Sequence, residues 1–464
     1  MNPSKILKSF VIFFIFFIAF SSMLLNMSSN YGSLSSKLIL GSMIVYGIIR
    51  LAILTHSNDS RWSIQIFWLY ALFILLIPGL VQMNDGSYYW DTLLGYPAEQ
   101  ELLASLILAC GIIITDISYI LFSRNAKHSI CSNSLRINED KYLKILKIFT
   151  LIGVAWSSYL FARFGFSFFL RSRGAVASDF GDTFSLAELG LIIGLNSALL
   201  TALFISCFQQ VIRKDLQKNS WYKFLLIVNA SQYLIINYPG RVARFALLGT
   251  LLSLVFIYIK NSKSKIDIGF WLTVSFPLSL YYVFRFLGGY NRSGIFDFDA
   301  AWSSAKNLKD NLSSGDFDGF QMTILGVRYV ISEGYTWGNQ ILSALLFFVP
   351  RSIWENKALP TGALLGTNEG FSYTNLSSPI YIEGYLDLGF IGVAILAYIL
   401  GYLIFASDRA LHKNEANITI LPAIVFTAFL PIILRGSLLA VCSGILTIIF
   451  ILFIMKRYSL EQKG

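Results

Sequence analysis

Charge is scarce in this 464-residue chain: Asp, Glu, Lys and Arg together make up 13% of it, about half the load of a soluble globular domain. A water-soluble fold of this length would need one very large apolar core under a surface almost without charge, so an ordinary soluble enzyme is excluded. Histidine is scarcer still, with only His56, His128 and His412. The four cysteines, Cys110, Cys131, Cys207 and Cys442, show no CxxC spacing, which excludes a zinc or dithiol redox motif. HExxH, GxSxG, a P-loop and a paired-aspartate metal motif are missing as well, so a hydrolase or an ATPase has no residues to stand on. There is no internal repeat and no low-complexity segment.

Apolar length is what the chain has in excess. Hydrophobic residues make up 55% of it and aromatic residues 16%. Transmembrane helices are expected near 8–25, 37–54, 64–83, 102–122, 144–164, 186–211, 221–238, 242–259, 268–287, 381–405, 417–434 and 437–455, each near the ~20 residues that cross hydrocarbon. The first run follows Lys5 and Lys8 like a signal peptide, but its length and the spans after it make it a retained helix. The expected fold is an all-α polytopic membrane protein of about 12 transmembrane helices with both termini cytoplasmic. It divides into nine helices with short loops (1–287), a long outer loop with short helices (288–380), and three helices with a cytoplasmic tail (381–464).

The net charge of +10 invites a nucleic-acid reading, which fails once charges are sorted by side. With the N-terminus inside, cytoplasmic segments hold 22 cations and 9 acids, and outer segments hold 14 cations and 17 acids. The nets of +13 and −3 add up to +10, the signature of positive-inside topology. The kind of cation differs too: 15 Lys and 7 Arg inside, 4 Lys and 10 Arg outside. That rule does not require arginine outside, whereas planar, bidentate recognition of phosphate or carboxylate does favour it; pairing with the outer acids is the plainer alternative.

The outer arginines cluster near helix ends. Arg163 ends the fifth span and Arg173 lies in the loop after it; Arg241 and Arg244 occupy NYPGRVARF; Arg285 ends the ninth span and Arg292 follows in GGYNRSG; Arg351 closes a short apolar run. Charge at bilayer depth is costly and tends to face a cavity or a partner. Arg435, in the LRGS turn, is read instead as snorkelling to headgroups. Glu383 and Asp387, four apart at the start of the tenth span, share a helical face. Either can take a proton from a hydroxyl nucleophile, or serve the helix N-terminus as a cap. Within the long loop, 299–312 and 318–333 read as short amphipathic helices, 339–350 as an interfacial or re-entrant helix, and the Thr/Ser/Asn/Gly-rich stretch 355–379 as a wall suited to a sugar or as a solvated loop. All three histidines fall in cytoplasmic loops, which argues against histidine as an outer base.

These residues resemble the Wzy-type O-antigen polymerases, oligosaccharide repeat-unit polymerases of bacterial inner membranes. The likeness covers most of the chain in architecture rather than in identity. An Arg-x10-Gly pattern of such loops is matched by Arg163–Gly174 (RFGFSFFLRSRG) and by Arg351–Gly362 (RSIWENKALPTG). PGRVARF resembles the family's Gly-Arg element, and IEGYLDLGFIG its acidic, glycine-containing start of the span after the long loop. The resemblance implies that an acceptor hydroxyl attacks the anomeric carbon of a glycan carried on undecaprenyl diphosphate at the periplasmic face, with inversion and without cofactor or metal. Arginines would hold the diphosphate, Glu383 or Asp387 would serve as base, and a chain-length-determining co-polymerase would be a partner. Related O-antigen ligases are usually thought to use a periplasmic histidine, which this chain does not offer; a ligase, another lipid-linked glycosyltransferase and a lipid-linked oligosaccharide flippase or transporter are the alternatives.

Overall fold

The computed structural model describes residues 31–56, 61–90, 95–125, 137–171, 186–213, 219–262, 268–278, 299, 312–412 and 418–460. These form α1 (Leu34–His56), α2 (Trp62–Asp85), α3 (Ala98–Asn125), α4 (Glu139–Phe164), α5 (Leu186–Ile212), α6 (Ser220–Ile236), α7 (Arg244–Asn261), α8 (Ile268–Leu278), α9 (Gly319–Glu333), α10 (Asn339–Leu345), α11 (Thr361–Asn368), α12 (Ile380–His412), α13 (Leu421–Arg435) and α14 (Leu438–Ser459). Among the described residues, nine helices are long and apolar enough to cross a membrane. The protein is thus an all-helical polytopic membrane protein. These nine, the 17-residue α6 and the described part of α8 each fall on an expected span; the expected first span, 8–25, lies outside the described residues.

Local chemistry sets several helix ends. Asn138 accepts the Lys141 amide at 3.0 Å, and Glu139 and Asp140 stand in the first turn of α4, where the helix dipole favours negative charge. Gly86, at φ 64°, closes α2 in the left-handed conformation that glycine adopts without a Cβ clash.

Two sets of contacts gather at opposite ends of the bundle. At one end the Ser33 amide donates to Glu101 at 3.1 Å, Trp90 Nε1 to Asp318 at 2.7 Å, Arg244 to Asp316 at 2.8 Å and the Ser378 amide to the Arg435 carbonyl at 2.7 Å. At the other the Ser63 amide donates to Asp408 at 2.8 Å, Arg213 to Glu139 at 2.7 Å, the Asn138 amide to the Ser459 carbonyl at 2.8 Å and Lys260 to the Leu411 carbonyl. The first is the arginine-rich end and the second the lysine-rich end.

α2 stands at the centre, with 94% of its apolar window buried and a π-helical turn at Ala71–Leu76. α3 and α12 make the most extensive helix pair. They approach closely because Gly401 faces α3: a Cβ there would lie 2.5 Å from the Thr115 carbonyl oxygen, the small-residue contact by which helices in lipid pack.

Two expected helices gain detail. The segment 318–333 is helical, as expected, and forms α9, whose first nine residues pack inside the bundle. Residues Gly319–Val327 are all buried, pressed on α2 and α12: a Cβ on Gly319 would meet Leu75 at 2.4 Å, and one on Gly326 would meet Ile382 at 2.2 Å. Its glycines let a short helix enter the bundle and share its core. The tenth span is also not one continuous helix. Leu388 (φ −143°, ψ 22°) and Gly389 (φ 61°, ψ −145°) break α12 into Ile380–Asp387 and a long second half.

Candidate functional site

Termini of several helices meet at the arginine-rich end and make up the candidate site. With the 3-10 turn before it, the span that contains α13 runs over Ile418–Arg435. Only Gly436 and Ser437 separate it from α14, so two helix termini meet where unpaired backbone groups need protein partners. Segments distant in sequence supply them. The Ser378 amide donates to the Arg435 carbonyl, the Gly362 amide to Ser437 Oγ at 2.9 Å, and the Leu438 amide to Glu383 Oε1 at 2.7 Å. Gly362 packs so closely that a Cβ would lie 2.2 Å from the Leu376 carbonyl oxygen.

Asp318 lies among these termini, 1% exposed. It begins α9, but its side chain does not cap that helix. It accepts from Trp90 Nε1, from Ser377 Oγ and, at 3.4 Å, from Arg435 Nη2, which also donates to the Gly315 carbonyl at 2.8 Å. The Arg435 guanidinium lies 5.1 Å from the Phe245 ring centre. Trp90 stacks on Tyr373 (5.7 Å, 13°) and meets Tyr89 edge-on at 4.7 Å. Tyr89 and Tyr373 are 43% and 50% exposed, so the wall opens at its upper edge. Leu75, which touches Gly319 just after Asp318, lies ten residues below the end of α2, about 15 Å. Asp318 is thus well inside the bundle.

Among the expected arginines, Arg244 pairs with Asp316 at 2.8 Å. Arg241 lies on Phe168 and Phe169, 5.5 and 4.8 Å from their ring centres, and donates to the Ile236 carbonyl at the end of α6. Among the described residues it has no carboxylate partner, and burial pushes its guanidinium down to about 10. Arg163 is exposed and donates to the Tyr159 hydroxyl at 2.7 Å. Arg351 straddles the carbonyls of Lys357 and Ala358, the latter at 2.6 Å. Lys357 is 8% exposed and donates to the carbonyls of Leu346 (3.2 Å), Phe347 (2.7 Å) and Val349 (2.7 Å) just past α10. Burial first, and then the neighbouring Arg351, push the Lys357 ammonium below its ordinary value. Arg173, Arg285 and Arg292, with Gly174, lie outside the described residues.

Glu383 and Asp387 are both buried in the first half of α12 and bind backbone amides of other helices. Glu383 takes the first amide of α14. Asp387 takes the amides of Gln340 (3.1 Å) and Ile341 (2.8 Å) at the start of α10, and the Thr336 hydroxyl. α10 and α14 have no side-chain cap from their own N-cap residues, Gly338 and Ser437. Capping is therefore real here, but it serves helices other than the one that carries the carboxylates. Asp408 does the same for α2, accepting from Ser63 and Ile64.

Asp318, Trp90 and Arg435 were not singled out by sequence as site residues. Arg435 is not a snorkelling cation: its side chain, 20% exposed, turns inward to Asp318, because α13 ends at Asp318's level. Its signal in sequence was the acidic pair Asp316–Asp318 in a loop facing an arginine turn. Among the described residues no group of three or more His, Cys, Asp or Glu stands ready for a metal ion. Comparisons with family models, with curated proteins and with solved structures found no match to this chain.

Proposed function

We propose that this protein is a glycosyltransferase of the O-antigen polymerase kind, seated in a bacterial inner membrane, that joins oligosaccharide units carried on undecaprenyl diphosphate at its arginine-rich, periplasmic end. The hydrogen-bonded cluster around Arg435 carries this reading. There a loop that re-enters the bundle brings arginines, carboxylates and an aromatic wall together at one end of a membrane protein. Carboxylates, amides and stacked aromatic rings suit a sugar. Arginine without an acid beside it suits a diphosphate leaving group, and among the described residues Arg241 has no carboxylate partner. An acceptor hydroxyl attacks the anomeric carbon, its proton passes to a carboxylate, and the lipid diphosphate departs with inversion. Asp387, with three donors on two oxygens, anchors the start of α10; Glu383 is the candidate proton acceptor. The remaining arginines and a co-polymerase partner belong to the proposal, which calls for no cofactor.

The break in α12 favours a second reading, a lipid-linked oligosaccharide transporter, since discontinuous helices build transport sites. Deleting the gene and resolving lipopolysaccharide on a silver-stained gel separates them. The polymerase reading expects core carrying a single repeat unit; bare core would overturn it and point to a transporter or a ligase.

A further inference from the structure

The segment that follows α9 and carries α10 is built inside out. α10 turns polar residues inward: Gln340 and Ser343 are buried, Gln340 accepting from the Thr361 hydroxyl at 3.1 Å and Ser343 Oγ from the Ala358 amide at 2.9 Å. Apolar residues turn outward. Ile331, Trp337, Leu342, Leu345, Phe348 and Ile353 are each 47–78% exposed, and residues 334–350 contain no charged side chain. A helix bathed in water shows the opposite pattern. Trp337 is held out at φ 53°, a left-handed conformation that bulky residues rarely adopt.

The same segment meets the demand that hydrocarbon makes on backbone groups. Asp387 takes the Gln340 and Ile341 amides at the start of α10, and Lys357 takes the Leu346, Phe347 and Val349 carbonyls past its end. In a solvated loop water serves such groups; at membrane depth the protein itself must. Depth follows from α12. From Asp408, which caps the lysine-rich start of α2, to Gly389 is about 28 Å of helix, close to the ~30 Å of a bilayer's hydrocarbon. Gly389 therefore stands at the far edge of the apolar layer. Tyr335 lies against it, its hydroxyl 3.1 Å from where a Gly389 Cβ would be. The rings of Trp337, Tyr335, Tyr385 and Phe390 follow one another at 6.1, 6.2 and 5.7 Å. They carry the exposed face on to the outward side of the α12 span, where Ile391 and Ile395 are exposed. Tryptophan and tyrosine gather at this level of a membrane.

We propose that residues 335–353 lie in the plane of the membrane, with Trp337, Leu342, Leu345, Phe348 and Ile353 immersed in the acyl chains of the leaflet at the arginine-rich end. The partner of this surface is bilayer lipid. Its seat sets the height of Asp387 and Arg351 at the headgroup boundary, and it stands whether or not the protein transfers sugars.

Spin-label accessibility tests this in vesicles of phosphatidylethanolamine and phosphatidylglycerol. p-Acetylphenylalanine replaces Leu345, Phe348 or Ile353 one at a time and is coupled to a nitroxide, which leaves the native cysteines untouched. The same label at Ile395 and at Ser372, both exposed, supplies the lipid and the water reference. The expected result is high access to oxygen and low access to a water-soluble nickel chelate at all three sites, as at Ile395, with a depth of about 5–10 Å below the headgroup boundary. Nickel access like that of Ser372 at two of the three sites overturns the proposal. Low access to both reagents overturns it too, because a second copy or another protein would then cover the face.

Discussion

Asp387→Asn separates a carboxylate that holds structure from one that does chemistry. In the native protein its two oxygens receive three donors, from Thr336, Gln340 and Ile341. An asparagine keeps one acceptor oxygen and turns an NH2 group toward a donor. The exchange loses one charge-assisted bond, about 1.5–3 kcal/mol, and leaves at least one buried donor unpaired, about 1–3 kcal/mol. With partial relaxation, a net loss of about 2–5 kcal/mol is expected, and for a chain of this length a melting temperature lower by about 2–5 °C. The assay is thermal unfolding in detergent, read with a thiol-reactive dye that reports exposure of the buried Cys207. Asp387→Ala, which strands all three donors, falls further. A variant that melts within about 1 °C of wild type but no longer polymerises would refute the structural assignment and make Asp387 a reacting group.

Other changes follow from the same geometry. Arg351→Lys keeps the charge but loses the fork across two carbonyls, so we expect shortened lipopolysaccharide ladders at normal protein abundance; ladders of wild-type length would remove Arg351 from the site. Lys357→Met strands three carbonyls behind α10 and is expected to increase proteolysis within 339–358 while the spans stay protected, as limited digestion and mass mapping would show. Gly401→Val drives a side chain into the Thr115 carbonyl and is expected to cost about 1–3 kcal/mol or more, seen as a lower melting temperature. Glu383→Gln is expected to abolish chain extension and also to lower the melting temperature, because the Leu438 amide loses a charged acceptor; normal ladders would remove Glu383 as proton acceptor.

The spans were legible in sequence because an apolar run near twenty residues has almost no other use. α1 to α7 and α12 to α14 fall where hydropathy puts them, with ends shifted by a few residues where a cap decides, as at Asn138. The candidate site was not legible, for reasons that differ by residue. Glu383 and Asp387 looked like candidates to cap their own helix, yet they cap helices that begin 55 residues later and 47 residues earlier, beyond any local pattern. Arg435 looked like a snorkelling cation because nothing local shows that α13 ends beside a buried aspartate. α9 was legible as a short amphipathic helix but its depth was not: its glycines let it pack inside, and Gln321 is satisfied there by the Tyr96 hydroxyl at 2.9 Å and the Trp90 amide at 3.1 Å. The break at Leu388–Gly389 vanished in any window that averages over twenty residues.

The short first half of α12 has a mechanical consequence. Its eight residues carry Glu383 and Asp387 one turn apart, and each grips the beginning of a different helix, α14 on one side and α10 on the other. Behind them, Gly389 leaves the segment joined to the long second half through a non-helical link. The segment therefore works as a yoke: a rotation of a few degrees about that link moves the origin of α10, the origin of α14 and the Arg435 turn together. A perturbation at any one of them is felt at the other two, although the origin of α10 lies about a hundred residues from the others in the chain.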